Sequence, residues 1–385
     1  MTTGETPDRP PLRVVVCGSK FGQVYLEAFA RGRSDLVLAG VLGRGSARTR
    51  ACADRYGVPV FTDVDQVPAD VDAACVVIRG GLLGGPGVQL AQRLMARGIH
   101  VLQEHPLHHD ELAACLRQAR RAGVVYRLNP FYTHTEPVRR FLAAARELLR
   151  HQSAQYVDAA CGFQVAYALL DIIGSALGRV SPWAFAAAPP VPEPIRALAT
   201  ATAPFRTLDG VIGGTPVTIR VQNQMDPADP DNYAHLLHRV TLGTEGGNLT
   251  LVGTHGPVIW SPRPDFPHDV RSEQAAPHFA GPATARTHLD LPSAGVIGPA
   301  GTPSYHQIFR QTWPDGVGYA LADLRSAIDA GENPLTRGQY HLTLCQLWQD
   351  ITARLGPPEL VRATSSQPLG PDAVAALARA AEAVR

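Results

Sequence analysis

The sixteen residues VVVCGSKFGQVYLEAF, Val14–Phe29, decide how the first third of the chain is read. The unbroken apolar run Val14-Val15-Val16-Cys17 suits a strand buried on both faces. Gly18 stops it, and beyond Gly22 an amphipathic stretch carries Val24, Leu26 and Phe29 as its apolar positions. A strand that turns through glycine into a helix opens a βαβ unit. The turn itself, Gly18-Ser19-Lys20-Phe21-Gly22, is one residue shorter than the G-x-G-x-x-G phosphate-binding pattern and lacks its middle glycine. Alone, it serves equally as a tight corner.

The chain around that corner settles more. Up to Leu128, strand and helix patterns alternate strictly: LVLAGVLG, then SARTRACADRYG; VPVF; DAACVVIRG, then a helix over Val88–Arg97; HVLQEHP, then DELAACLRQARRAG; finally VVYRLNP. Nearly continuous apolar strands in such alternation predict an α/β domain, a parallel sheet covered on both faces, over residues 12–128. A helix from Glu136 to His151 leads away, and the character changes. AQYVDAACGFQV, RTLDGVIGG, TPVTIRVQNQM and AHLLHRVTLGTEGGNLTLVGTHGPVIW read as strands joined by glycine-rich turns. Helices are expected at AYALLDIIGSALG, Val317–Ala330 and Gln339–Leu355, with SPWAFAAAPPVPEPI a loop or bend and 262–304 a long surface loop. Residues 129–385 therefore predict an α+β domain with a mostly antiparallel sheet.

Bulk properties narrow the function. A length of 385 residues favours two domains. A net charge of +1 gives no reason to expect nucleic acid or an anionic membrane as partner. Six scattered cysteines without a CxxC pair argue against a disulfide framework or structural zinc and fit a reducing cytoplasm. Residues 1–11, polar and proline-bearing, read as a disordered lead-in without the apolar core of a signal peptide, and no run is long enough to span a bilayer.

Ligands of open α/β sheets sit at the carboxyl ends of the strands, which selects the candidate residues. After the first strand come Gly18, Ser19, Lys20, Phe21 and Gly22. After the second, where an acidic residue would accept ribose hydroxyls, the chain offers Gly43, Arg44, Ser46 and Arg48. Arginine pairs with a phosphate and serine donates to it, so NADP(H) is preferred over NAD(H). Arg79 ends the next strand, followed by a glycine-rich run to Gly87. Two further strand ends carry Glu104-His105-Pro106 and Asn129 with Tyr132 and His134. His108 and His109 lack a carboxylate or thiolate at ligand spacing, and no metal site is read there.

These segments together resemble the Gfo/Idh/MocA oxidoreductases, and within them the thiazolinyl imine reductases of siderophore and related nonribosomal peptide biosynthesis. The resemblance rests on CGSKFGQVYLEAF, QEHPLHHDE, NPFYTH and CGFQVAYALLDIIGSALG in that order. The wider family commonly has Glu-Lys-Pro where this chain has Glu104-His105-Pro106. The resemblance implies NADPH-dependent reduction of a thiazoline C=N bond to a thiazolidine, on an intermediate held as a thioester by a carrier domain. It also implies a Rossmann fold for residues 12–128, an open sheet in the α+β domain, and a homodimer formed through that open sheet. Tyr132 and His105 fall on the general-acid positions, and Glu104 and Pro106 on the cofactor side. A family reductase acting on a free small molecule and a non-catalytic NADP-binding accessory protein are the other readings.

Overall fold

The computed structural model describes residues 10–30, 33–78, 85–229, 233–264, 291–362 and 368–384. Among them, β1 (Leu12–Cys17), β2 (Leu36–Leu42), β3 (Val60–Phe61), β4 (Ala73–Val76), β5 (His100–Glu104) and β6 (Tyr126–Asn129) form one parallel sheet in the order β3-β2-β1-β4-β5-β6. This is the doubly wound order, with its reversal between β1 and β4. The helices between these strands are α1 (Gly22–Glu27), α2 (Ala47–Tyr56), α3 (Gly87–Ala96) and α4 (His109–Ala122). Val14–Cys17 and Ala73–Val76 are buried because both faces of the central strands are covered. Since every strand runs the same way, Cys17, Leu42, Phe61, Val76, Glu104 and Asn129 all end on one edge.

Beyond α5 (Glu136–His151) the chain builds a second sheet. Its strands are β7 (Ala154–Gly162), β8 (Trp183–Phe185), β9 (Phe205–Ile212), β10 (Thr215–Gln222), β12 (His238–Thr244), β13 (Gly247–Leu251), β14 (Val258–Pro262) and β15 (Gly295–Val296), after a short β11 (Gln224–Met225). The order is β15-β14-β13-β12-β7-β10-β9-β8. Every pairing is antiparallel except the central β7–β10 pair, which is parallel, so the sheet is mixed. Gly213 and Gly214, at φ 59° and 84°, close the β9–β10 hairpin with the two positive φ values that a type I′ turn demands. Along β10, Val217, Ile219 and Val221 point to the core while Pro216 and Arg220 face outward. Between β7 and β8, α6 (Ala166–Leu177) is buried almost all round, as its sequence is apolar all round.

The remaining helices return to the first sheet. A short α7 (Glu193–Leu198) precedes β9, and α8 (Tyr305–Gln307) passes through a π-helical turn at Ile308–Thr312 into α9 (Trp313–Asp329). α9 lies against α1, β5 and β6, and the following α10 (Leu335–Leu355) against α4, α6 and β6. Arg127 of β6, only 5% exposed, meets Glu332 at 2.5 Å and Asp323 at 3.6 Å, tying the sheet to these helices. A two-residue β16 (Glu359–Leu360) pairs with β11, and α11 (Pro371–Glu382) ends the described chain.

Some expectations change. The stretch read as loop at SPWAFAAAPPVPEPI contains edge strand β8 and the start of α7; three residues between prolines are too few to show a period. Within 262–304, Gly295–Val296 forms a strand, while residues 265–290 lie outside the described residues, as does most of the lead-in. Helix α11 escaped the sequence reading because its Ala-rich stripe buries nothing.

Candidate functional site

The shared edge of the parallel sheet gathers the sequence candidates. At the end of β1, Gly18 has φ +106°, and a Cβ there would collide with the carbonyl oxygen of Val77, so only glycine lets the β1 and β4 ends approach this closely. Ser19 follows, its hydroxyl 3.1 Å from that of Thr49, which lies 3.0 Å from that of Ser46. Ser46 also caps α2, accepting the Thr49 N–H at 3.2 Å. This hydroxyl chain fastens the β1 turn to the β2 turn, where Gly43 is followed by exposed Arg44 and Arg48. Lys20 is exposed and Gly22 buried. The Phe21 ring lies 5.2 Å from that of Phe131 and 6.1 Å from that of Trp313. Arg79 lies outside the described residues.

A second group is assembled by Asn129 at the end of β6. Its backbone oxygen accepts from the His105 N–H at 3.1 Å and lies 3.0 Å from His105 Nδ1. Its Nδ2 donates to the Tyr25 hydroxyl at 2.5 Å, and its Oδ1 accepts from the Phe131 N–H at 3.0 Å and from His134 Nδ1 at 2.9 Å. The Tyr25 hydroxyl in turn donates to Glu104. Burial, reinforced by the Glu104 charge, pushes the Tyr25 hydroxyl well above its ordinary pKa, so it remains a donor. Glu104 Oε1 stands 3.0 Å from His105 Nδ1. Both neighbours of Nδ1 are acceptors, so Nδ1 is the nitrogen that donates in this arrangement.

Tyr132 is placed by a strained turn. Phe131 has φ 62° and ψ −64° at the centre of a γ-turn closed by the Tyr132 N–H on the Pro130 carbonyl at 2.7 Å. A non-glycine residue pays for this conformation. The Phe131 ring holds it, 1% exposed among Phe21, Trp313 and Tyr132. Tyr132, 8% exposed, presents its ring edgewise to His238 at 4.7 Å and to His105 at 6.4 Å. His105 stacks on Tyr167 of α6 at 5.5 Å.

Four histidines around this group, His134, His238, His255 and His341, are held neutral. His238 is fully buried; its Nε2 donates to the Val165 carbonyl at 3.1 Å and its Nδ1 takes the Thr254 hydroxyl at 3.0 Å. Burial pushes its pKa down to about 3. Burial likewise lowers His341, 3.2 Å from the Tyr167 hydroxyl, to about 3, and His255, which accepts the Trp313 indole N–H at 3.0 Å, to about 4. His134, which the sequence left as substrate-facing or merely exposed, is spent on Asn129 and pushed down to about 4. His108 and His109 sit at the start of α4, where the His108 N–H donates to Glu111 at 3.1 Å and His109 meets Asp110 at 3.1 Å.

Sequence reasoning missed Tyr25, Tyr167, His238 and Asp171. Asp171 of α6 is 2% exposed and is reached by the Tyr340 hydroxyl at 2.9 Å and by the hydroxyls of Thr133 and Ser175. Burial raises its pKa. A signal was present, since Asp171 is the one charge in AYALLDIIGSALG.

A dinucleotide fits this edge: the Gly18 turn, the hydroxyl chain and Arg44 lie at β1 and β2, and the His105–Tyr132 group lies at β5 and β6, across the reversal of strand order. Residues 12–130 match the family model described as "Oxidoreductase family, NAD-binding Rossmann fold" (GFO_IDH_MocA), and residues 152–261 that described as "Thiazolinyl imine reductase Irp3-like, C-terminal". No curated protein matches the chain. Solved structures share its fold. GenD2 from gentamicin A biosynthesis, in complex with NAD, is 14% identical over 91% of this chain and 95% of its own, with TM-score 0.59. The 3-ketoreductase KijD10 from Actinomadura kijaniata, in complex with NADP, is 16% identical over 91% and 99%, with TM-score 0.60. An oxidoreductase from Agrobacterium radiobacter, with NAD+, L-tartaric acid and magnesium, is 12% identical over 88% and 94%, with TM-score 0.61.

Proposed function

We propose that this chain, which belongs to the Gfo/Idh/MocA oxidoreductases and carries an Irp3-like C-terminal domain, reduces a thiazoline C=N bond to a thiazolidine with NADPH, on a thioester-bound intermediate of a nonribosomal peptide synthetase carrier domain. The observation that supports it most is the meeting of His105 and Tyr132, rings 6.4 Å apart, where the parallel sheet faces α6 and β12. When bound, the reduced nicotinamide supplies the hydride for the imine carbon. The chain must then deliver a proton to the nitrogen as negative charge grows there. Tyr132, a phenol protonated at neutral pH, is the first candidate donor, and His105, through Nε2, orients or replenishes it. Glu104 and Asn129 fix the His105 tautomer, and Asp171 anchors the Thr133 hydroxyl beside Tyr132.

Gly18, Ser19, Lys20, Phe21, Gly22, Gly43, Arg79, Glu104 and Pro106 are assigned to the cofactor. Arg44 and Ser46 carry the preference for a 2′-phosphate. The cofactor domain, 12–128, is assigned to the first sheet and the substrate and dimer domain, 129–385, to the second, with α9 and α10 of the latter packing back on the first sheet. A homodimer through the open sheet face is supported by its exposed Asp158, Asp209, Arg220 and Arg239, charges of both signs that suit an isologous contact. Six free, buried cysteines support a cytoplasmic setting, and among the described residues no helix is long and apolar enough to cross a membrane.

The test follows absorbance at the reduced-nicotinamide band with a synthetic 2-aryl-thiazoline thioester. Thiazoline-dependent oxidation of NADPH in preference to NADH is expected. Binding of NADPH without oxidation, even when the thiazoline is delivered on a carrier domain, would overturn the reading.

A further inference from the structure

The turn between β13 and β14 reaches Tyr132 by two routes that the chemistry above does not use. It runs Gly253-Thr254-His255-Gly256 and is closed by the Gly256 N–H on the Gly253 carbonyl at 2.9 Å. Thr254, 4% exposed, serves one flank of Tyr132. Its hydroxyl accepts the His238 backbone N–H at 3.0 Å and directs its own proton to His238 Nδ1, also at 3.0 Å. With Nε2 on the Val165 carbonyl, both ring nitrogens of His238 are engaged, and the ring is fixed 4.7 Å from that of Tyr132. His255 serves the other flank. Its Nε2 accepts the Trp313 indole N–H at 3.0 Å, and an indole nitrogen can only donate. Burial keeps His255 neutral, so this acceptor persists at neutral pH. The Trp313 ring stands 6.3 Å from Tyr132 and 5.5 Å from Phe131, the residue at φ 62°.

We infer that this turn is the positioning element of the proton donor, with Thr254 acting through His238 and His255 acting through Trp313; the inference rests on the reading of Tyr132 as donor. Backbone in the Phe131 conformation persists only where the surrounding packing over-determines it. Of the rings around Phe131, that of Trp313 is tied to the second sheet by the His255 bond. Tyr132 is thereby held between two rings, His238 and Trp313, both anchored in one four-residue turn. A misplacement of about 1 Å at a reacting group costs up to ~10²-fold in rate, so hydrogen bonds this remote from the transferred proton still govern turnover.

Two pairs of variants test the two routes. Thr254→Val and His255→Leu remove the hydrogen bond at similar size, whereas Thr254→Ser keeps a hydroxyl and His255→Gln keeps a carbonyl acceptor. Urea unfolding checks that each variant folds, and the routes are independent, so an unfolded variant at one position leaves the other to decide. Thr254→Val and His255→Leu are expected to lower kcat by about 10–100-fold, and Thr254→Ser and His255→Gln to recover it. In a Tyr132→Phe background the same substitutions should cost no further kcat, a non-additivity that a general loss of structure does not produce. Tyr132 is also followed without turnover. With 3-fluorotyrosine at the ten tyrosines, the fluorine resonance that vanishes in Tyr132→Phe is the one to watch. It should shift in Thr254→Val and in His255→Leu and return in the Ser and Gln variants. A resonance unmoved by either substitution, or a kcat loss that adds in full to that of Tyr132→Phe, overturns the inference. Turnover of the thiazoline with an unmoved resonance refutes the turn's role and leaves the reductase reading standing. A shifted resonance in a protein that reduces no thiazoline supports the positioning of Tyr132 and refutes the reductase reading.

Discussion

Acidification from pH 7.5 to 5.5 is expected to weaken the fold steeply, through its buried neutral histidines. In the unfolded chain a histidine takes up its proton near 6.5; in the folded protein His238 and His341 resist to about 3, and His134 and His255 to about 4. The unfolded state therefore binds more protons throughout the interval between these values. The stability these groups contribute is complete above about pH 6.5 and is lost as pH falls towards 4. At pH 5.5 each group costs about 1.4 kcal/mol if it stays unprotonated in the folded state. His238 is 0% exposed, whereas the other three retain some surface, so a total of about 4–5 kcal/mol is the working figure. That is a large part of the ~5–15 kcal/mol available to a folded domain. Asp171, whose pKa is raised by burial, acts in the opposite sense, but as one group and only as pH falls through its own folded value. The assay is urea unfolding followed by tryptophan fluorescence at pH 7.5, 6.5 and 5.5. A His238→Gln variant, whatever its absolute stability, should show a shallower pH slope. An unfolding midpoint that stays constant over this range, or a slope unchanged by His238→Gln, would refute the reasoning.

Replacing Tyr132 by Phe should lower kcat by about 10²–10⁴-fold while NADPH binding, measured by fluorescence quenching, is retained; an unchanged kcat would remove Tyr132 as the donor. Arg44→Ala should weaken NADPH by about ten-fold, or ~1.4 kcal/mol, and NADH much less, and equal losses would end its phosphate role. Glu332→Ala leaves Arg127, 5% exposed, with only the 3.6 Å contact to Asp323, and should cost about 3 kcal/mol in urea unfolding. A loss below about 1 kcal/mol would show that water reaches that guanidinium.

The sequence by itself determined the succession of strands and helices that builds the first sheet. Apolar runs such as Val14–Cys17 and AACVV, alternating with helical periods, admit little but a parallel sheet, and a parallel sheet places every strand end on one edge. That is why Gly18, Arg44, Glu104, His105, Asn129 and Tyr132 are legible as candidates from the sequence alone. It was weaker where segments are short or lack a period, as at Trp183–Phe185, Gly295–Val296 and α11.

Only the tertiary structure decided which side chains meet. Tyr25, 79 residues before Glu104 and 104 before Asn129, joins both by hydrogen bonds, and nothing in its neighbourhood announces this. His238 reaches Tyr132 from another sheet, Trp313 reaches Phe131 from a helix that returns to the first sheet, and Asp171 receives the hydroxyl of Tyr340. His134 looked available for chemistry and proved to be committed to Asn129. The physical reason is that local periodicity tells which face of an element is buried and where its strand ends. The partner a polar group finds once buried depends on contacts between distant segments, and these are fixed only when the whole chain has packed.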